Sequence, residues 1–172
     1  MTPARPRIGR REDHRLLTSG GRYVADVNDA ALTGALTVCF VRSEVASGEL
    51  RDVRTQAASA HPGVVAVITA RDLDIGPMPP VLPRFAPELS PPVLAHGRVR
   101  YVGEPVAAVV ATCPAAAHDA AELVEVVVDP TPALVDPQDA ARDTHLILDG
   151  VASNVIATGA VGALPDDVWR DC

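Results

Sequence analysis

A chain of 172 residues is long enough for one domain with a substantial hydrophobic core. Its formal net charge of −7 argues against a nucleic-acid surface, which needs clustered lysine and arginine. No apolar run is long enough to cross a membrane, and charged residues follow Arg10 and Arg11 where an export signal would be apolar. We therefore expect no nucleic-acid or membrane partner and a cytoplasmic location, where the three widely spaced cysteines fit a reducing environment.

The strength of the hydrophobic patterning divides the chain into three parts. Residues 1–34 form a basic, turn-rich arm and a strap, without a helical or strand period. Residues 35–141 carry alternating strand and helix patterns, so we expect them to form the folded domain. From 142 to 172 the patterning weakens, which predicts a loosely held C-terminal tail.

The first strand is predicted at 35–42, where apolar side chains alternate. Leu36, Val38 and Phe40 share one face of it. Cys39 lies on the other face, where we expect a small core side chain rather than a reactive thiol. The elements predicted after it are a half-exposed strand at 49–54, an Ala-rich helix at 56–60 capped by Thr55, and a buried strand at 64–69.

Prolines interrupt the pattern from 75 to 97 and exclude a helix or a sheet ladder over that span. A structureless loop of this length in a compact domain is typical of a functional segment or of one that rests on a partner. Arg84 and Phe85 form an aromatic and cationic pair within it. Two interpretations stay open for this pair: a partner contact or a plain surface loop.

The stretch 98–111 is the one around which we expect the domain to fold. Gly103 offers the positive φ of a sharp turn, while Pro105 holds Glu104 extended and is tolerated at a strand start. The run 106–111 is apolar without alternation, which predicts a central strand covered on both faces. The best site prediction is therefore the turn Gly103, Glu104 and Pro105 in a structural role. The residues indicate no catalytic, cofactor-binding or metal-binding position.

A helix with a largely alanine apolar side is predicted to begin at Pro114. His118 and Glu122 stand four residues apart on its polar side. Because no third ligand has a suitable spacing, we interpret them as a solvated helix face rather than a metal site. The last predicted elements are a strand at 126–128 and a short helix at 137–141 with Asp136 as its cap.

Several of these stretches, taken in order, resemble one family. They are similar to the N-terminal part of the molybdenum-cofactor-binding large subunit of the xanthine dehydrogenase, aldehyde oxidase and carbon monoxide dehydrogenase family, and specifically to its α/β hammerhead domain. Single stretches are not specific, but the combination is. The matching stretches are 11–26 (REDHRLLTSGGRYVAD), 40–43 (FVRS), 62–69 (PGVVAVIT), 99–111 (VRYVGEPVAAVVA) and 119–125 (DAAELVE).

The chain also departs from the family pattern. After Arg42 and Ser43 the family usually continues with a Pro-His-Ala-His-like run, whereas Glu44 follows here. Where the family usually has a tyrosine and a Leu-Pro pair, this chain has Val-Asp-Pro-Thr-Pro at 128–132. The pterin-binding glycine-rich motifs and the glutamate thought to act as base, which the family carries further on, are missing from these residues.

The resemblance implies an α+β hammerhead, with a mixed sheet of short strands and two helices packed on one side. It implies a structural domain that lacks the catalytic part of a molybdenum hydroxylase, so we expect this oxidoreductase-family chain to be non-catalytic and to bind no cofactor alone. The complete enzyme would use a molybdopterin-type molybdenum cofactor. The implied partners are the remainder of the molybdenum-binding subunit and an iron–sulfur subunit.

Three interpretations of the chain stay open. It is one piece of a split large subunit that works in a complex, a free-standing interaction module that uses the Pro-rich loop, or the remnant of an interrupted gene. The resemblance does not identify a substrate among aldehydes, purines and carbon monoxide.

Overall fold

A computed structural model of the chain describes residues 10–21, 23, 27, 29–79, 90–148 and 150–155. The chain divides into two compact units, Met1–Ala35 and Leu36–Cys172. In the first unit, helix α1 spans Asp13–Thr18 and a 3-10 helix spans Ala30–Leu32. The sequence pattern did not predict α1, because this helix buries no residue and so shows no apolar face.

The second unit is built on two antiparallel sheets of three strands each. In the first sheet, β5 (Pro105–Ala111) lies between β1 (Thr37–Arg42) and β3 (Val64–Thr69). In the second sheet, β2 (Gly48–Arg54) lies between β4 (Arg98–Val99) and β6 (Glu125–Pro130). The helices of this unit are α2 (Gln56–Ser59), α3 (Pro114–Ala121), α4 (Pro137–Ala140) and a 3-10 turn at Ala70–Asp72.

The predicted α+β fold class is confirmed, and one detail of it changes. Every strand pair in the two sheets is antiparallel, so the strands form two antiparallel sheets rather than one mixed sheet. The chain leaves the second sheet at Val99 and enters the first at Pro105. A sharp turn between these two residues carries the chain from the second sheet to the first.

Strand β5 lies at the centre of the core, as the sequence predicted. Val106, Ala107 and Val109 are fully buried. Helices α2 and α3 pack on the same side of the first sheet, since Ala58 of α2 and Ala120 of α3 join one cluster with Ala107 and Val109. The prediction of two helices on one side is therefore confirmed.

A second cluster connects the two sheets. Val106 of β5 packs with Val99 and Ala95, beside apolar side chains of β2 and β6. Val53 and Val126 contact both this cluster and the one beneath the helices. The core is thus continuous from one sheet to the other.

The face of the first sheet away from the helices is less covered than the sequence predicted. In β5, residues 106–109 and 111 are buried, but Val110 is only half-buried. On β1, Val38 and Phe40 are 51% and 45% exposed. Because helices pack on one side only, the prediction of a strand covered on both faces holds for the middle of β5. The prediction of a buried strand at 64–69 is wrong, since no residue of β3 is buried and Val65 is 56% exposed.

Of the two helix caps predicted above, Asp136 is confirmed and Thr55 is wrong. Asp136 caps α4, because its carboxylate accepts hydrogen bonds from the Gln138 and Asp139 backbone N–H groups at 2.7 and 3.3 Å. Thr55 makes no side-chain cap bond to α2, and its backbone already has helical angles. Among the helices described in the structure, none has the length and apolar character needed to span a membrane.

Replacing Val109 with Asp tests whether β5 is the centre of the core. We expect Val109→Asp to lower the free energy of unfolding by several kcal/mol, because an unpaired charge would be buried. Thermal unfolding followed by circular dichroism measures the loss. Val65→Asp is the control, since Val65 lies in the neighbouring strand but is 56% exposed. Equal melting temperatures for the two variants would contradict the assignment.

The 3-10 turn after β3 predicts a pH dependence. The Thr69 backbone N–H and Oγ1 hydroxyl both donate to Asp72 Oδ2 at 2.7 Å, which holds the pKa of Asp72 below its usual range. A lowered folded pKa contributes stability above the unfolded pKa and loses it as the pH falls.

We therefore expect Asp72→Ala to lower the melting temperature at neutral pH, and this difference to shrink as the pH falls below about 4. Thermal melts across a pH series measure it. Asp74→Ala removes a carboxylate outside the hydrogen-bonded turn and is the control. A difference for Asp72→Ala that stays constant down to low pH would show that the carboxylate's charge plays no part.

Candidate functional site

The predicted site is the turn that joins β4 to β5. Gly103 has a φ of +89°, which a residue with a side chain adopts only with strain. No atom lies within 4 Å of a Cβ placed there, so the backbone angle and not crowding requires glycine. Pro105 is the first residue of β5, and its carbonyl accepts a hydrogen bond from the Ala95 backbone N–H at 2.7 Å.

Glu104 is a buried charged residue, with 3% of its surface exposed. Its Oε2 accepts a hydrogen bond from the Arg100 backbone N–H at 2.6 Å, and its Oε1 accepts one from Arg100 Nη1 at 2.8 Å. Both carboxylate oxygens are thus bound by the same arginine, once through its backbone and once through its guanidinium. Charge-assisted bonds of this kind are the strong ones, so the pair closes the turn.

Ser43, just after β1, fastens the turn to the first sheet. The Ser43 backbone N–H donates to the Glu104 carbonyl at 2.9 Å, and the Gly103 N–H donates to the Ser43 carbonyl at 2.7 Å. Arg42 Nη1 donates to the Gly103 carbonyl at 2.8 Å. Sequence reasoning did not assign Arg42 and Ser43 to this site, although both lie in a stretch that resembles the family.

A cleft of about 470 Å³ opens beside the turn. Tyr101 and Val102 line it together with the segment after β6, and both are more than half exposed. Most of its lining is apolar, and the charged groups on it belong to Arg98 and Arg100. His145 also lies on the lining, and no carboxylate is present among the described residues that line the cleft.

The other candidate residues do not come together at this turn. His118 Nδ1 lies 3.5 Å from Cys39 Sγ on the helix side of the first sheet. Cys39 is half-buried against a cluster of alanines, as expected of a small core side chain. Among the described residues, no group of three or more His, Cys, Asp or Glu side chains is placed to hold a metal ion. Arg84 and Phe85 lie outside the described residues.

A residue to which the sequence gave no structural role organises the segment after α4. The side chain of Asn154 accepts a hydrogen bond from the Ile147 backbone N–H at 2.9 Å and donates to the carbonyls of Ala140 and His145 at 3.1 and 2.8 Å. Its backbone N–H donates to Asp143 Oδ1 at 2.7 Å. No local pattern could reveal this, because the partners lie up to 14 residues away.

Residues 18–132 match the family model described as aldehyde oxidase and xanthine dehydrogenase, a/b hammerhead domain. The chain belongs to that family. The match spans both sheets and the turn around Glu104, so the predicted resemblance is confirmed.

The relatives include large subunits of bacterial enzymes. The chain is 40% identical over 135 residues to the nicotine 6-hydroxylase large subunit of Paenarthrobacter nicotinovorans. The aligned segment covers 77% of this chain and 16% of that protein. It is also 40% identical over 156 residues to the carbon monoxide dehydrogenase large chain of Afipia carboxidovorans, covering 88% and 18%. The chain therefore spans less than one fifth of these relatives' length.

Solved structures support the same fold. The chain is similar to quinoline 2-oxidoreductase from Pseudomonas putida 86, with a TM-score of 0.72 and 36% identity over 86% of this chain and 19% of that one. The protein is thus a hammerhead domain of the molybdenum hydroxylase type, equivalent to a small part of a large subunit.

Replacing Glu104 tests the strength of the turn. We expect Glu104→Gln to lower the free energy of unfolding by about 1.5–3 kcal/mol, because it removes the charge from the hydrogen bonds to Arg100. Urea unfolding measures the change. The control is Glu49→Gln, since Glu49 pairs with Arg51 on the exposed surface, where such pairs contribute little to stability. A loss no larger than the control's would contradict a closing role for Glu104.

Proposed function

We propose that this domain is a non-catalytic structural part of the large subunit of a molybdenum hydroxylase and that it works only when assembled with the remainder of that subunit. The observation that carries the proposal is the family match over residues 18–132 combined with a span below one fifth of the relatives. The buried Glu104 supports it, because its carboxylate binds Arg100 rather than facing the adjoining cleft.

We assign Gly103, Glu104 and Pro105 a structural role within this function. The turn connects the two sheets and is bonded to Ser43, just after β1, and to Ala95 ahead of β4. It therefore fixes how the two sheets meet. A domain that braces a larger enzyme needs such a fixed junction, since its outer faces must present constant shapes to the neighbouring parts.

The lining of the cleft beside the turn is largely apolar, which favours a domain that holds no cofactor by itself. We propose that the cofactor is held elsewhere in the complete enzyme. That enzyme would hydroxylate or oxidise a small substrate, as the names of the nicotine and carbon monoxide relatives suggest. An iron–sulfur subunit would be its partner, as the family resemblance implies.

Metal analysis of the pure 172-residue chain tests the non-catalytic assignment. After expression in a host that makes the molybdenum cofactor, we expect no stoichiometric molybdenum in the protein and no oxidation of aldehydes or purines. A complete relative purified from the same host is the positive control. Stoichiometric molybdenum in the isolated chain would contradict the proposal.

Co-expression tests the structural role. The tagged chain is produced together with the carbon monoxide dehydrogenase large chain of Afipia carboxidovorans from which the matching segment has been removed. Because the two proteins are 40% identical over that segment, we expect the chain to replace it and to co-purify with the shortened large chain. Failure to recover any shortened large chain with the folded domain would contradict the proposed function.

A further inference from the structure

The outer face of the first sheet carries an apolar surface two rows deep. In the strand register, Val38 of β1 lies opposite Val110 of β5, and Val110 lies opposite Ala66 of β3. The next row on the same face contains Phe40, Ala108 and Ile68. We call these six residues the outer apolar face: Val38, Phe40, Ala66, Ile68, Ala108 and Val110.

This face differs in character from the exposed side chains of the second sheet. There, Arg51 bonds to Asp129 at 2.6 Å and Arg54 bonds to Glu125 at 2.9 Å across neighbouring strands. These hydrogen bonds raise the pKa of both arginines, as expected for cations beside carboxylates. The second sheet thus presents paired charges to water, whereas the outer apolar face presents hydrocarbon.

The two sides of the first sheet differ as well. Ala107 and Val109 are fully buried beneath the helices, while Val38 and Phe40 on the outer face remain 51% and 45% exposed. Leu36, just before β1, is 48% exposed. These side chains are neighbours in the strand register, so they form one apolar surface rather than scattered single residues.

Arg42 marks one edge of this surface. Its guanidinium lies 5.8 Å from the centre of the Phe40 ring, and its Nη1 is held by the Gly103 carbonyl. A polar group at the rim of an apolar centre is the usual layout of a protein interface. The turn at Glu104 therefore also positions the edge of the outer apolar face.

The size of the face decides which occupant it fits. With strands about 4.8 Å apart and side chains of one face about 7 Å apart along a strand, six side chains cover on the order of 200 Å². A stable complex of two separate proteins buries about 800 Å² on each partner. A second copy of this chain held by this face alone would fall well short of that area.

We propose that the outer apolar face is the docking surface for the remainder of the large subunit; this inference rests on the proposed function. The remainder of the large subunit would contact the domain at several places. The outer apolar face therefore needs to supply only part of the whole interface. The relatives contain more than four fifths of their length outside the matched part, which supplies an occupant of sufficient size. A charged residue on this face would be buried without a partner when that occupant docks.

Charged variants in the co-expression assay test this inference. The double variant Val38→Lys and Phe40→Lys places two ammonium groups on the face. We expect recovery of the shortened Afipia carboxidovorans large chain to fall at least about tenfold, since unpaired charges at the centre of an interface are strongly unfavourable. Circular dichroism melts establish that the variant is folded.

Two further variants make the result decisive. Leu123→Lys is the matched control, because Leu123 is 44% exposed and follows α3, which packs on the opposite side of the sheet. It is expected to leave recovery unchanged. Should the lysine pair fail to fold, the milder pair Val38→Thr and Phe40→Gln is used, with a smaller loss expected in the same direction.

The outcomes separate this inference from the proposed function. If the parent chain recovers no shortened large chain, the proposed function fails, and this inference fails with it. If the parent and the folded double variant recover it equally, only the docking surface is wrong. Light scattering of the chain alone tests whether a second copy of the chain binds this face instead. If the parent is a dimer and the double variant is a monomer, the face binds a second copy and the proposal is overturned.

Discussion

The structure depends on one buried carboxylate. Glu104 binds the backbone and the guanidinium of Arg100, and this closes a turn in which the chain leaves one sheet and enters the other. Burying a charge is unfavourable unless it is paired and hydrogen-bonded, and Arg100 meets both conditions. The same turn is bonded to Ser43 through two backbone hydrogen bonds, so its conformation sets the position of β1 as well.

The turn matters because β5 belongs to two cores at once. Beyond Pro105, Val106 packs toward the second sheet, whereas Ala107 and Val109 pack toward the helices. A bulge in the β1–β5 register lies at this point, between Val41 and Arg42. Successive side chains of a strand face opposite sides, so neighbouring residues of β5 join separate clusters, and the bulge bends the strand where the two clusters meet. The turn and the bulge together join two small sheets into one domain.

Much of this fold could be predicted from the sequence, because local apolar runs specify strands. The runs at 64–69 and 106–111 correspond to β3 and β5, and Gly103 was identified from the need for a positive φ. The partition of the strands into two sheets could not be predicted from the sequence, since strand pairing depends on contacts between residues that are far apart along the chain.

The role of Gly48 was missed for a related reason. A Cβ there would lie 2.5 Å from Val128 Cγ1 and 2.6 Å from the Asp129 carbonyl, a closeness that only the folded pairing of β2 with β6 creates. At the candidate site, the sequence identified Glu104 but not its partners. The bond to Arg100 forms only once residues 100–104 fold back into the turn, and the bonds to Ser43 cross about sixty residues.

The composition of the core explains why such a domain is suited to a supporting role. The largest fully buried side chains are Val99, Val106 and Val109, and most other buried apolar residues are alanines. Alanine lets α3 lie close to the sheet, but it contributes little burial energy, whereas each buried valine contributes about 1.5–3 kcal/mol. The outer face holds further apolar side chains, Val38 and Phe40 among them, that remain about half exposed. Docking that face would therefore add stability to the domain and hold it in place by the same contact.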